Sequence, residues 1–164
     1  MEDKLTIRDA TTGDVSTLRS FLRKMMNEEM EASGGHPTST DENAWNRLRE
    51  TLCENLRDGE YKYVIAETSD DPPKQIGFAE ARILHRTFVY EPARVLHIHS
   101  LFVEPSHRGR GLGGLLLEAV MEWGRTEKCA EAELDVLAGN PARFLYRRLG
   151  FRPFEFKMMR RLQP

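Results

Sequence analysis

No apolar run in the 164-residue sequence approaches the roughly 18 residues that a membrane-spanning helix requires, which excludes a helical membrane protein. The opening residues, from Met1 to Thr6, contain no apolar segment of the kind that directs secretion. Cysteine is scarce: Cys53 and Cys129 stand far apart, outside any spacing used for zinc or dithiol chemistry, so no metal site and no disulfide framework is expected. Cys53 falls on the apolar side of a helical pattern and is read as core. These features point to a reducing cytoplasm. Net charge is only −2, which argues against a general nucleic-acid binder. The phosphate-binding string G-x-x-x-x-G-K-[ST] is absent. Repeats, low-complexity tracts and linkers are lacking too, so residues 1–164 are expected to form a single domain, with nothing to decide between monomer and homodimer.

What is present centres on Val103-Glu-Pro-Ser-His-Arg108-Gly109-Arg110-Gly111-Leu112-Gly113-Gly114. An apolar, strand-like run from Val95 to Val103 leads in, and a helical pattern from Leu112 to Trp123 leads out. Glycines let a backbone approach a ligand closely and take positive φ. The N–H groups at a helix start are unpaired and sit at the positive end of the helix dipole, a combination that binds phosphate. A dinucleotide fingerprint G-x-G-x-x-G matches literally at Gly109, Gly111 and Gly114. Its context is wrong, because Glu104 to Arg108 separate it from the strand and too little chain follows for a doubly wound sheet.

Elsewhere, residues 4–9 alternate as a short strand. Val15, Leu18, Leu22, Met25 and Met26 recur at helical spacing. A second helix is expected from Ser39, with Glu42 completing a capping box and Trp45, Leu48, Leu52 and Leu56 on its apolar face. Tyr61–Thr68 and Gln75–Leu84 read as a hairpin around Pro72-Pro73. Ala132, Leu134 and Val136 alternate with acids as a further strand. Asn140-Pro141 opens a helix that Gly150 closes, and residues 151–162 read as a last strand or two.

R-x-x-G-x-G at Arg108, Gly111 and Gly113, preceded by Val103 and Pro105, resembles the coenzyme A pyrophosphate loop of the GNAT superfamily of N-acyltransferases. The segment Ala142-Arg-Phe-Leu-Tyr146-Arg-Arg-Leu-Gly150-Phe151 resembles that family's A-x-x-[FL]-Y-x-[KR]-x-G-F. Residues 1–94 match only in the order of elements. The resemblance implies a mixed α/β (α+β) fold: a central, mostly antiparallel sheet of about six to seven strands, helices on both faces, in the order β-α-α-β-β-β-α-β-α-β.

It also implies acetyl-CoA as cosubstrate and no metal. Cofactor contacts are implied for Leu101, Phe102 and Val103 through their backbone, and for Arg108, Gly109, Arg110, Gly111, Leu112, Gly113 and Gly114 in the loop. Tyr146 takes the place of the family's general acid toward the thiolate, with a core aromatic as the plain alternative. Asn140 stands one position later than the family's CoA-contacting asparagine, so it is either a shifted cofactor contact or a helix cap.

Acyl transfer to an amine requires the amine to lose a proton, since its unperturbed pKa is about 10.4. His97 and His99 share a strand face beside the loop and are the first candidates for the base, with Glu80 and Glu104 behind them. The pair also resembles paired histidines in the arylalkylamine branch of the family. Glu28, Glu29 and Glu80 are candidate contacts to the acceptor, for which a small cationic amine transferred by direct attack in a ternary complex is expected. A protein N-terminus or lysine acceptor, or a non-catalytic CoA-binding regulatory module, are the competing functions. Nucleic-acid and membrane partners are not expected.

Overall fold

The computed structural model describes residues 5–33, 39–87, 89–160 and 162. Its elements run β1 (Leu5–Asp9), a 3₁₀ turn (Thr12–Asp14), α1 (Val15–Ser33), α2 (Glu42–Asn55), β2 (Tyr61–Thr68), β3 (Gln75–His85), β4 (Arg94–Val103), a second 3₁₀ turn (Pro105–His107), α3 (Leu112–Thr126), β5 (Glu131–Leu134) and α4 (Arg143–Arg148). The strands form one sheet in the order β1-β2-β3-β4-β5. The first three pairings are antiparallel; β5 joins β4 in parallel, as a crossover through α3 permits.

Alternation along the strands supplies two cores. On one face Val64, Ala66, Ala79, Ala81, Leu96 and Ile98 meet Leu112, Leu116, Leu117 and Val120 of α3. On the other, Tyr63, Ile65, Phe78 and Phe102 meet Val15, Leu18, Phe21 and Leu22 of α1 and Leu52 of α2. Phe21 stacks on Phe78 with ring centroids 5.8 Å apart and tilts on Phe102 at 5.3 Å. Two small residues allow close approach: a Cβ on Gly124 of α3 would fall 2.8 Å from Leu96 Cδ2 of the sheet, and one on Gly77 of β3 2.7 Å from the Phe102 carbonyl oxygen of the neighbouring strand.

Five strands are found among the described residues, against the six to seven expected. Residues 151–160 form no strand, and Phe154, Phe156 and Met158 are 86%, 89% and 94% exposed. Their alternation with Glu155 and Lys157 marks a face that could be buried, but pairing depends on a neighbour, which alternation does not specify. At α2 the expected Ser39–Glu42 box gives way to Asp41, whose carboxylate accepts from Asn43 N at 2.9 Å. Ser39 serves beside it, its hydroxyl accepting from Asp41 N and its carbonyl from Trp45 Nε1. The capping box forms instead between Thr11 and Asp14, ahead of α1.

Candidate active site

The pairing of β4 with β5 runs from Val95↔Glu131 to Ile98↔Leu134 and stops there. From His99 onward β4 continues without β5, so the sheet opens on that side. The opening begins at a bulge: Ala81 faces Ile98 and Glu80 faces Ser100, leaving His99 as the extra residue. The side chains of Leu101 and Val103 pack toward α3 and Phe102 toward α1, so only their backbone is free for a ligand.

Beyond β4 the chain turns at Pro105–His107 and enters α3 through Gly111, which has φ of +83° as the residue before the helix; Gly109 has φ of +77°. Such values favour glycine. A Cβ on Gly109, Gly111 or Gly114 would meet nothing within 4 Å, so the space above this turn is open. Among the described residues, the N–H groups of Gly111, Leu112 and Gly113 reach no backbone carbonyl. Gly113 differs: its Cβ would lie 3.1 Å from Leu145 Cδ2, so its smallness serves the packing of α4. Arg108 folds back on the strand. Its Nε donates to the Val103 carbonyl at 2.7 Å, and its guanidinium meets the Glu28 carboxylate of α1 at 2.7 Å.

The end of α1 thus lies across the opening. Lys24 pairs there with Glu104 at 2.5 Å, and Glu29 accepts from Asn140 Nδ2 at 3.4 Å. Burial pushes the Glu29 carboxyl up from its ordinary range. Asn140 Oδ1 also accepts from Ala142 N at 2.9 Å, so the side chain caps the turn before α4, two residues ahead of the helix cap that was expected of it. Tyr146 packs edge-on to Phe151, ring centroids 6.1 Å apart. Burial first, and the Glu29 charge second, push its hydroxyl up to about 12.

His97 and His99 lie side by side with ring centroids 5.6 Å apart. His97 is largely enclosed, with Nδ1 3.3 Å from Glu133 Oε1 of β5, whereas His99 is exposed. Glu80 is buried on the same sheet face. It accepts from Tyr63 Oη at 2.8 Å and from Ser100 Oγ at 2.9 Å, and Asn55 of α2 donates to Tyr63 Oη at 3.1 Å. Burial raises the Tyr63 hydroxyl far above the ordinary tyrosine range.

The fold therefore gathers the glycine turn, Tyr146, Asn140 and Glu29 at the opening, with the histidines at its inner end. Glu28 is held by Arg108 and Glu104 by Lys24, so neither carboxylate is free. Reading the sequence missed Ser100, Tyr63 and Glu133, which hold the candidate bases, and Arg82, which stands opposite His97. Ser100 alone carried a signal, as the small polar residue in an apolar strand.

Comparison with known proteins gives the family. Residues 21–151 match the acetyltransferase (GNAT) family. An aminoglycoside N(6′)-acetyltransferase type 1 of Stenotrophomonas maltophilia is 32% identical over 111 residues, covering 60% of this chain and 71% of that protein. The solved aminoglycoside N-acetyltransferase AAC(6′)-Iy in complex with CoA superposes with a TM-score of 0.77 at 23% identity, over 100% of this chain and 98% of that one. The same enzyme bound to a bisubstrate analogue, CoA-S-monomethyl-acetylneamine, gives 0.75 at 25% identity, over 98% and 99%. With most of its length matched and its fold shared, the chain belongs to the GNAT acetyltransferase family.

Proposed function

We propose that residues 1–164 act as one N-acetyltransferase domain that moves the acetyl group of acetyl-CoA to a primary amine by direct attack in a ternary complex. The observation that carries this reading is the open glycine turn at the start of α3 beside the place where β4 loses β5. Unpaired N–H groups and the positive end of a fifteen-residue helix suit a pyrophosphate. The unpaired edge of β4 from Leu101 to Val103 suits an extended pantetheine, a backbone N–H there polarising the thioester carbonyl.

In the transfer, the amine nitrogen bonds to the thioester carbon, the C–S bond breaks and the thiolate departs. The amine proton passes to a base. His97 is the better placed histidine, since a Nδ1–H directed at Glu133 leaves Nε2 as a proton acceptor. Tyr146 donates a hydrogen bond to the leaving sulfur. Alignment of the two substrates supplies much of the remaining rate. The acceptor arrives as an ammonium, and the aminoglycosides named for the relatives supply one class to try. A cytoplasmic location is part of the same reading.

The test is release of free CoA across a panel of amines, with acetyl-CoA binding followed by calorimetry. Wild type should bind acetyl-CoA and gain about 2.7 kcal/mol of stability at a hundredfold excess over Kd. Gly111→Val should lose both effects, because a branched side chain fills the cradle and disfavours the positive φ. Absence of heat with acetyl-CoA, or equal affinity for NAD, overturns the reading.

A further inference from the structure

Three registers line up one row of side chains across the sheet: Tyr61↔Arg82, Arg82↔His97 and His97↔Glu133. Directly paired residues share a face, so Arg82 stands beside the enclosed histidine, one row along from Glu80 and Ser100. Four carboxylates on and beside this row already have partners. Glu80 holds Tyr63 and Ser100, Glu133 holds Arg86 and His97, Glu131 holds Arg86, and Glu60 holds His85. The side chain of Arg82 makes no hydrogen bond or ion pair among the described residues, and its Nε is enclosed without an acceptor. A partly buried guanidinium without an anion is costly to keep, and its planar fork matches a carboxylate with two parallel hydrogen bonds.

We infer that Arg82 binds a carboxylate of the acceptor, so that the amine acetylated by this protein belongs to a molecule that carries both groups, an amino acid or a short peptide. This rests on the function proposed above and specifies its substrate. The amine must reach the opening at His99, while Arg82 lies one strand over and level with His97. The acceptor therefore spans from the opening back along the histidine pair, with its nitrogen at the bulge and its carboxylate at Arg82. A polycationic acceptor would meet the guanidinium as a like charge.

The experiment compares matched amines that differ only at the second group. Amino acids with the amine two to five carbons from the carboxylate are set beside their amides and their decarboxylated counterparts. Wild type should favour the carboxylate member by about 10- to 100-fold in kcat/KM, the range expected for a charged hydrogen bond against an unpaired buried group. In Arg82→Gln that ratio should fall to near one, and Arg82→Lys should retain part of it, with thermal unfolding confirming that both variants fold. Calorimetry of the same amino acids against the CoA-loaded protein gives a reading independent of turnover, and Arg82→Gln should abolish the heat. Turnover with equal rates for both members, or an Arg82→Gln ratio unchanged from wild type, overturns the carboxylate assignment while leaving the acetyltransferase standing. No CoA release from any amine, together with no carboxylate binding, overturns both.

Discussion

The guanidinium of Arg108 and the carboxylate of Glu28 meet at 2.7 Å across the open edge of the sheet, joining the end of α1 to the glycine turn. The pair puts a negative charge next to the place proposed for a pyrophosphate. Glu28→Gln should therefore tighten acetyl-CoA binding. Both side chains are nearly half exposed, so the gain is small, roughly two- to fivefold in Kd, and should shrink with added salt. Calorimetric titration of wild type and variant at two ionic strengths checks it; weaker binding by the variant would show that the pair orders the turn instead.

The role proposed for Tyr146 is at the departing thiolate. A phenol held near 12 stays protonated throughout the working range, so it is available as a donor at every assay pH. It is also a weaker acid than the thiol of CoA, whose class has a pKa of about 8.5, so in the proposed transfer it would stabilise the thiolate by hydrogen bonding while solvent completes the protonation. Tyr146→Phe should lower kcat by about 10- to 100-fold with little change in the KM for acetyl-CoA. The wild-type rate should show no alkaline fall attributable to this group below about pH 11. Wild-type turnover in the variant would leave Tyr146 as packing against Phe151.

The candidate site was legible where the chain itself sets the geometry. Glycines needing positive φ at Gly109, Gly111 and Gly150 announce turns by themselves, and the Leu112–Val120 stripe announces a helix on a sheet. What depends on a distant partner was not legible. The bulge at His99 exists because β3 sets the register, and nothing near His99 encodes it. The cap of α2 fell to Asp41 because Ser39, Thr40 and Asp41 offer competing oxygens within one turn. At Gly113 a second constraint was hidden, since a Cβ there would lie 3.1 Å from Leu145 Cδ2 of α4, a helix much later in the chain. Arg82 could not be singled out, since an arginine in a strand looks ordinary until its Nε is seen to be enclosed without an acceptor.

Acid stability should depend on a network remote from the site. Arg8 donates to both Asp14 oxygens at 2.9 and 2.8 Å, and Thr11 N and Gln75 Nε2 add two more bonds at 2.8 Å each. The guanidinium of Arg8 above all holds the Asp14 carboxyl well below the usual carboxylate range. A depressed folded-state pKa stabilises the protein above the unfolded value of about 3.9, and that stability is lost as pH falls through the folded value. Asp14→Asn should cost about 1–3 kcal/mol at pH 7, because it leaves donors unmatched. The gap between wild type and variant should close on acidification below about pH 4. Urea unfolding at a series of pH values measures it, and a gap independent of pH would show that packing, not charge, accounts for the loss.

The identity of the base separates two arrangements of the same sheet face. Glu133 engages Nδ1 of His97 and leaves its Nε2 without a partner among the described residues, whereas both oxygens of Glu80 are already engaged by Tyr63 and Ser100. A base must have a lone pair directed at the substrate, so geometry favours His97. The neutral imidazole is the active form, and kcat/KM should fall as pH drops through its titration. His97→Gln should remove that acid limb and lower kcat/KM about 10²- to 10⁴-fold, the usual worth of a general base. Glu133→Gln should keep the limb but lower kcat, since Glu133 lies 3.3 Å from Nδ1 of His97 and orients the ring without taking the proton. That outcome marks Glu133 as a positioning residue. His99→Gln is the control, because its ring touches that of His97 and the two must be separated by mutating each alone. If the limb survives in His97→Gln and disappears in His99→Gln, the exposed histidine is the base. If it survives in both, the proton leaves through Glu80, and Ser100→Ala, which frees one of its oxygens, should then alter the profile.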